Sequence, residues 1–348
     1  MRPTGPKLTV IGAGVAGLAC AVELAERGVA VEVLERGERL GAGCCSWYAG
    51  GMLAPWCERE SAEPLIAALG LESLAWWPAR FPGTVLKGSL VVAHGRDAGE
   101  LRQFARRTER YQWLDGDAVG ALEPDLAGRF SQALHFPEEG HLDPRAALSA
   151  LAAKLASLGA TIRFGAGAEP CREASRAAQA AGATLVDCRG LEARDALAEL
   201  RGVKGEMLVV RLPDINLSRP VRVLHPRVPV YIVPRGDGHY MIGATMIESD
   251  QPTRITARSM LELLGAAYAL HPAFGEAEII EIGTGVRPAF PDNLPRVCRI
   301  GDTVYVNGLY RHGFLLAPAL ARQAAQHVLG AGHPFEVVDA DSRQRRLA

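Results

Sequence analysis

The first ordered signal along the chain is a short apolar run at residues 8–11 (LTVI), punctuated by Gly12, Gly14 and Gly17. Residues 18–27 (LACAVELAER) follow, with apolar positions at helical spacing. Gly28 stops that helix, and residues 29–34 (VAVEVL) read as a second strand. A strand, a helix and a second strand joined so closely require a right-handed parallel crossover, the start of a doubly wound sheet. Residues 44–82, rich in Gly, Pro, Trp and Cys, show neither period and are too long for a connector, so they are expected to be irregular and to lie over a ligand. Residues 84–94 (TVLKGSLVVAH) are β-like, and residues 95–107 (GRDAGELRQFARR) read as a charged connector.

From Asp143 the helical period returns, with Leu148, Leu151, Leu155 and Leu158 on one face, Pro144 near the start and Gly159 at the end. Residues 160–164 (ATIRF) then form a strand, and residues 180–190 (AAGATLVDCRG) another that runs into a Cys-Arg-Gly turn. Residues 205–211, 229–233 and 239–245 read as antiparallel strands, residues 259–270 as a helix, and residues 297–308 as a hairpin. A last helix is expected over 318–329, introduced by Gly313 and Pro318 and closed by Gly330 and Gly332. The pattern predicts an α/β chain of two interleaved lobes. A nucleotide-binding lobe takes 1–82, 141–204 and 282–348. An inserted α+β substrate lobe, on a mainly antiparallel sheet, takes 83–140 and 205–281.

Residues 10–17 (VIGAGVAG) meet the context test of the dinucleotide fingerprint, since they follow a strand, open a helix and are followed by an acid, Glu35, closing the next strand. Gly12 permits the tight turn, Gly14 lets backbone approach a pyrophosphate at the helix N-terminus, and Gly17 allows close helix–strand packing. Glu35 is placed to accept from a ribose hydroxyl. The motif by itself leaves NAD and FAD open.

Composition narrows the partners. With 38 Lys and Arg against 39 Asp and Glu, the net charge of -1 provides no field for nucleic acid or an anionic membrane, so a small molecule becomes the expected substrate. The seven cysteines form no CxxC pair and no zinc-spaced cluster, which argues against a disulfide framework and against a bound metal. No strongly apolar run reaches the ~18 residues of a membrane span, and no basic leader is visible, so a soluble, cytoplasmic protein without membrane insertion is expected.

After Glu35 and Arg36 comes the glycine-rich segment 41–55 (GAGCCSWYAGGMLAP), in which Ser46, Ala49, Gly50, Gly51 and Met52 occupy the positions of a Ser and a small-residue run. This resembles the D-amino acid oxidase superfamily of flavoproteins, where that run wraps FAD. Four further stretches sharpen the resemblance toward glycine oxidases of the thiamine-biosynthetic type. They are 187–195 (DCRGLEARD), 231–246 (YIVPRGDGHYMIGATM), 283–295 (GTGVRPAFPDNLP) and 307–321 (NGLYRHGFLLAPALA). The resemblance implies a Rossmann-like FAD lobe of the GR2 type. It also implies a cofactor held by Gly12, Ala13, Gly14, Ala16 and Gly17, by Glu35 and Arg36, and by Ser46, Ala49, Gly51 and Met52. Cys188 and Gly190 would join them from the middle of the chain, and Arg287, Arg311, His312, Gly313, Phe314 and Leu315 from its end.

An amino-acid oxidase must hold a carboxylate so that the Cα–H faces flavin N5, and a permanently charged, planar guanidinium does so bidentately. Arg287, between Val286 and Pro288, matches the family's carboxylate-binding arginine, the alternative being a surface ion pair. Tyr231 is either a second carboxylate donor or a core tyrosine, and Met246 either an apolar wall against the substrate or strand-end filler. Arg311 would add positive charge, and backbone N–H groups at the start of the following helix would face the flavin N1/C2=O edge. His312 reads equally as a hydrogen-bonded turn histidine. Cys44 and Cys45 are expected to be small packing thiols.

The implied reaction is oxidative deamination of glycine, with small D-amino acids or N-methyl amino acids as further substrates. O2 would be the acceptor, H2O2 a product, and thiamine thiazole formation the setting. The covalent-flavin cysteine and the lysine of sarcosine oxidases are missing near Val286 and at Leu315, which implies non-covalent FAD. A D-amino acid dehydrogenase passing electrons to a quinone is the main rival, and an NAD dehydrogenase or a flavin-holding module without turnover are others. The resemblance also implies a homo-oligomer.

Overall fold

Leu8–Ile11 forms a strand that pairs in parallel with Val31–Leu34 on one side and with Leu185–Asp187 on the other. The computed structural model describes residues 8–167, 173, 184–225 and 229–330, so residues 180–183 and Gly332 of the sequence reading lie outside it. Thr161–Arg163 extends this sheet beyond Val31–Leu34, and the hairpin Arg296–Ile300/Thr303–Asn307 extends it beyond Leu185–Asp187. All pairings are parallel except within the hairpin, as a doubly wound sheet demands. The crossover helix runs Val15–Glu26, and its first turn contains the fingerprint glycine Gly17. Gly28 ends it at φ +82°, a conformation costly for any residue with a Cβ.

Pro144–Ser157 begins where Asp143 accepts the N–H groups of Arg145 and Ala146 at 2.7 and 2.9 Å, with Pro144 in the first helical position where its missing N–H is harmless. Leu148, Leu151 and Leu155 are fully buried against the sheet.

Three expectations are corrected. Residues 44–82 are not irregular throughout, because Pro55–Glu58, Pro64–Leu71 and Ser73–Arg80 are helical. At no more than about two turns each, these helices repeat their buried stripe too few times for periodicity to single them out. Residues 95–107 are not a connector: Ala98–Arg107 is a helix burying Leu101, Phe104 and Ala105, a narrow stripe among many charges. The last helix begins at Gly313, not Pro318, and runs to Val328. Pro318 cannot donate to the carbonyl of Phe314 four residues back, and the indole Nε1 of buried Trp77 donates to that carbonyl instead, at 2.8 Å. A side chain from residues 73–80 thus repairs the defect that made Pro318 look like a helix start.

The second sheet has nine strands, mainly antiparallel. Their order is Ile247–Glu248, Arg201–Arg211, His239–Gly243, Val230–Gly236, Val221–Leu224, Ser89–Ala93, Gln132–Phe136 and Gln112–Asp115, with Glu278–Ala289 on the other side of Arg201–Arg211. Only Val221–Leu224 and Ser89–Ala93 pair in parallel. The lobe divisions expected at 204/205 and 281/282 both fall inside long strands of this sheet, Arg201–Arg211 and Glu278–Ala289, which pair from Arg201↔Ala289 to Arg211↔Glu278. Each sheet has its own apolar core. Among the described residues no helix is long and apolar enough to cross a membrane, and no group of His, Cys, Asp and Glu could hold a metal ion.

Candidate active site

A cavity of about 990 Å³ lies where the C-terminal ends of the parallel strands meet one face of the larger sheet. At the nucleotide end, Gly12 sits at φ +99°, and a Cβ there would lie 2.7 Å from the Cys188 carbonyl oxygen. A Cβ at Gly17 would lie 1.8 Å from the Gly12 carbonyl oxygen, which leaves glycine as the residue that fits. Gly12, Gly14 and Ala16 line the cavity, whereas Ala13 and Gly17 do not; they shape the turn beneath it. Ala13 donates its N–H to Glu35 Oε2 at 2.6 Å and Gly37 donates to Oε1 at 2.7 Å, so Glu35 is fixed at the cavity wall by two backbone donors. Arg36 lies at the rim, paired with Glu192 at 3.0 Å.

The helix starting at Val15 has no side-chain cap of its own, and Ser46 Oγ accepts the Val15 N–H at 3.2 Å. The remaining first-turn N–H groups have no acceptor within the helix, which suits an anion such as a pyrophosphate. Ala49, Gly51, Met52, Cys188 and Gly190 also line the cavity, and buried Asn307 ties the Gly190 carbonyl to the far side through its Nδ2 at 2.8 Å. Burial pushes the Cys44 thiol up and the Cys45 thiol to about 12, so both stay protonated and serve as packing. Beside the Val15 terminus a second uncapped helix N-terminus, at Gly313, Phe314 and Leu315, opens into the same space; a Cβ at Gly313 would lie 3.5 Å from Val15 Cγ1.

The floor of this space is the larger sheet. Arg287 lies flat over Gly205, where a Cβ would stand 2.2 Å from its Nη2, and its Nη1 donates to the Thr245 carbonyl at 3.1 Å. Tyr231 rises from the same face, over Gly243 and against Gly50, where a Cβ would be 2.7 Å from the ring. Both side chains reach the cavity because glycine was placed under or beside them. Met246 is at the mouth, half-exposed, with the Tyr310 hydroxyl 3.5 Å from its sulfur.

Arg311 is on the cavity wall, but its Nη2 donates to Glu58 and its Nη1 to Ser61, each at 3.2 Å. Glu58, which the sequence reading did not single out, is the hub of this wall, since buried Arg222 also donates to it and His312 Nδ1 lies 3.5 Å away. Burial alone would raise the Glu58 carboxyl, but Arg222, Arg311 and His312 outweigh it and hold it well below the usual carboxylate range. Burial pushes His312 down to about 4, with Arg311, Arg222 and Arg287 adding to the effect against the pull of Glu58, so the ring is neutral at pH 7.

Arg235 was also missed. Largely buried, it donates to the carbonyls of Leu142 (2.7 Å), Ala49 and Gly50 (3.0 Å each), clamping the glycine-rich segment onto the sheet. Its sequence signal is a charged residue inside an otherwise apolar strand, as it is for Arg222.

The family described as FAD dependent oxidoreductase matches residues 7–327. The putative thiamine biosynthesis oxidoreductase ThiO of Rhizobium etli is 56% identical over 93% of this chain and 96% of its own length. The glycine oxidase of Geobacillus kaustophilus is 30% identical over 89% of each chain. The crystal structure of a glycine oxidase from Geobacillus kaustophilus superposes with a TM-score of 0.79 at 26% identity, covering 95% of this chain and 97% of the other. That of glycine oxidase from Bacillus cereus gives 0.78 at 25%, covering 96% and 98%.

Proposed function

The chain belongs to the family of FAD-dependent oxidoreductases, and from that premise we propose that it oxidises the CH–NH2 group of glycine or a similarly small amino acid held by Arg287. The names of its relatives, glycine oxidase and thiamine biosynthesis oxidoreductase, support that substrate and a role in forming the thiamine thiazole. The residues present fit FAD. Two uncapped helix N-termini open onto one cavity, glycines stand where a Cβ would collide at Gly12 and Gly17, and Glu35 lies at the nucleotide end. When bound, FAD supplies the acceptor for the hydride that leaves the substrate Cα.

The observation that carries the reading is Arg287 laid over Gly205 on the sheet face that also carries Tyr231. A guanidinium fixed to the Thr245 carbonyl keeps further N–H donors for a carboxylate, and Tyr231 adds a phenol. The amino acid enters with its amine neutral, loses hydride from Cα and a proton from nitrogen, and leaves as an imino acid. Water hydrolyses that to a 2-oxo acid and ammonia, glyoxylate in the case of glycine. The neutral His312 takes no proton at pH 7, and the wall it shares with Arg311, Arg222 and Glu58 keeps the flavin end of the site electropositive.

FAD is held non-covalently in this reading, O2 accepts the two electrons and yields H2O2, and the protein works in the cytoplasm as a homo-oligomer. The nucleotide lobe and the substrate lobe then correspond to the two sheets. The test is to mix the holoenzyme anaerobically with glycine, sarcosine, D-alanine, D-proline and L-alanine, follow loss of flavin absorbance near 450 nm, then admit air and assay peroxide. Bleaching by glycine with peroxide on reoxidation is expected. Bleaching without peroxide would transfer the assignment to a dehydrogenase using a quinone or other acceptor, and no bleaching by any amine would remove the substrate class.

A further inference from the structure

Arg287 is not the only guanidinium on its sheet face. Residues directly opposite one another in adjacent strands project to the same side, and the register places Arg222 opposite Tyr231, Tyr231 opposite Gly243, and Gly243 opposite Met207. Gly205, two residues from Met207, shares that side, and the Arg287 guanidinium lies on it. Gly243 and Gly205 add no side chain. The strip of floor therefore carries Arg222 beside Tyr231 at one end and the Arg287 head at the other. At a strand spacing of about 4.8 Å, the three intervals between them span about 14 Å of backbone, and both guanidinium side chains line the one cavity above it.

The charges on the Arg222 side do not cancel. Arg222 and Arg311 face a single ionised carboxylate, Glu58. His312 is neutral at pH 7, the Cys57 thiol is pushed up by burial, and Glu139, the other carboxyl facing Arg222, is pushed up to about 7 by burial. Below about pH 7 the cluster keeps a positive charge in excess, separate from Arg287. Among the described residues Glu58 is the one acceptor for Arg222, and both arginines line the cavity. Glycine offers nothing to this charge, since its one carboxylate is taken by Arg287.

We infer that Arg222 and Arg311 form a second anion subsite, and that the preferred substrate is an amino acid bearing a second carboxylate beyond the one held by Arg287. This rests on the reading that the cavity oxidises amines, and the experiment separates the two.

The FAD-loaded enzyme is assayed for anaerobic flavin bleaching with two pairs differing in the second acid group, D-aspartate against D-asparagine and iminodiacetate against sarcosine. An unreactive pair, succinate against butyrate, is titrated by its perturbation of the flavin spectrum. In the unmutated enzyme the diacid of each pair is expected to be favoured about tenfold or more, in kcat/KM or in Kd, a preference worth roughly 1.4 kcal/mol. In Arg222→Gln both ratios fall toward one, whatever general loss the variant suffers, while Arg222→Lys keeps a preference because it keeps the charge. Ratios at or below one in the unmutated enzyme, with glycine or sarcosine still bleaching the flavin, overturn the subsite and leave amine oxidation standing. If no amine bleaches the flavin, amine oxidation fails, and the succinate-to-butyrate ratio still decides for or against the subsite.

Discussion

Replacing Glu139 by glutamine should stabilise the protein at alkaline pH and leave it nearly unchanged in acid. Glu139 is fully buried, and its Oε1 accepts the N–H groups of Trp56 and Cys57 at 2.9 and 2.7 Å, fixing the short helix that carries Glu58. Its Oε2 has no hydrogen-bond partner among the described residues. Burial pushes the carboxyl from 4.5 up to about 7, despite the donors and Arg222. At about 1.4 kcal/mol per unit, ionising this group inside the fold costs on the order of 3 kcal/mol relative to the unfolded chain. Because the folded-state value is the raised one, the cost is absent below about 4.5, grows between 4.5 and 7, and is complete above 7. Glutamine keeps an oxygen for the two N–H groups and never ionises. Urea unfolding of the FAD-saturated proteins at pH 5 and pH 9 should show the variant gaining about 3 kcal/mol over the parent between the two conditions; every other titrating group cancels in the difference. A difference that does not change with pH would show that Glu139 ionises at an ordinary pH and would refute the account.

Three further outcomes follow from close contacts. Gly17→Ala puts a methyl 1.8 Å from the Gly12 carbonyl oxygen, so backbone must move, and the purified protein should lose its bound FAD by absorbance. Gly205→Ala meets only the far end of Arg287, which can swing aside; thermal stability should stay near the parent's while kcat/KM for the amino acid falls about tenfold or more, roughly 1.4 kcal/mol of lost transition-state binding. Trp77→Phe strands the Phe314 carbonyl, with an expected loss of about 1–3 kcal/mol from that group alone. Adding Pro318→Ala should recover part of this in a double-mutant cycle by denaturation, because the restored N–H can reach the same carbonyl.

The glycine-fingerprint end of the cavity was legible because its constraints are local. Gly12, Gly14 and Gly17 are set by the turn they occupy, and Glu35 by its place at the end of the next strand, so spacing alone located them. Elements with ordinary lengths and full stripes, such as Pro144–Ser157 and Ala257–Leu270, were read for the same reason. What escaped was non-local. Pro318 looks like a helix start until Trp77 is known to serve the carbonyl it leaves open, and nothing within a helical turn of Pro318 announces that.

The electrostatic half of the site shows the same limit more sharply. Arg287 and Tyr231 were identified through resemblance, but their surroundings depend on which strands pair. Arg222 stands beside Tyr231 only through the register of Val221–Leu224 with Val230–Gly236, and Arg311 turns to Glu58 only because Glu139 anchors the helix that carries it. Arg222 and Arg235 lie in strands and Glu139 in the short connection between two strands, and the side chains of all three are wholly or largely buried. Burying such a group is costly unless another part of the chain satisfies it. In all three the satisfying partner lies more than 40 residues away and belongs to the segment running from Ala49 to Glu58 or to the carbonyl of Leu142. What the three share is therefore not a sequence pattern but the segment that satisfies them, which marks the glycine-rich loop as the place where the two sheets are tied together.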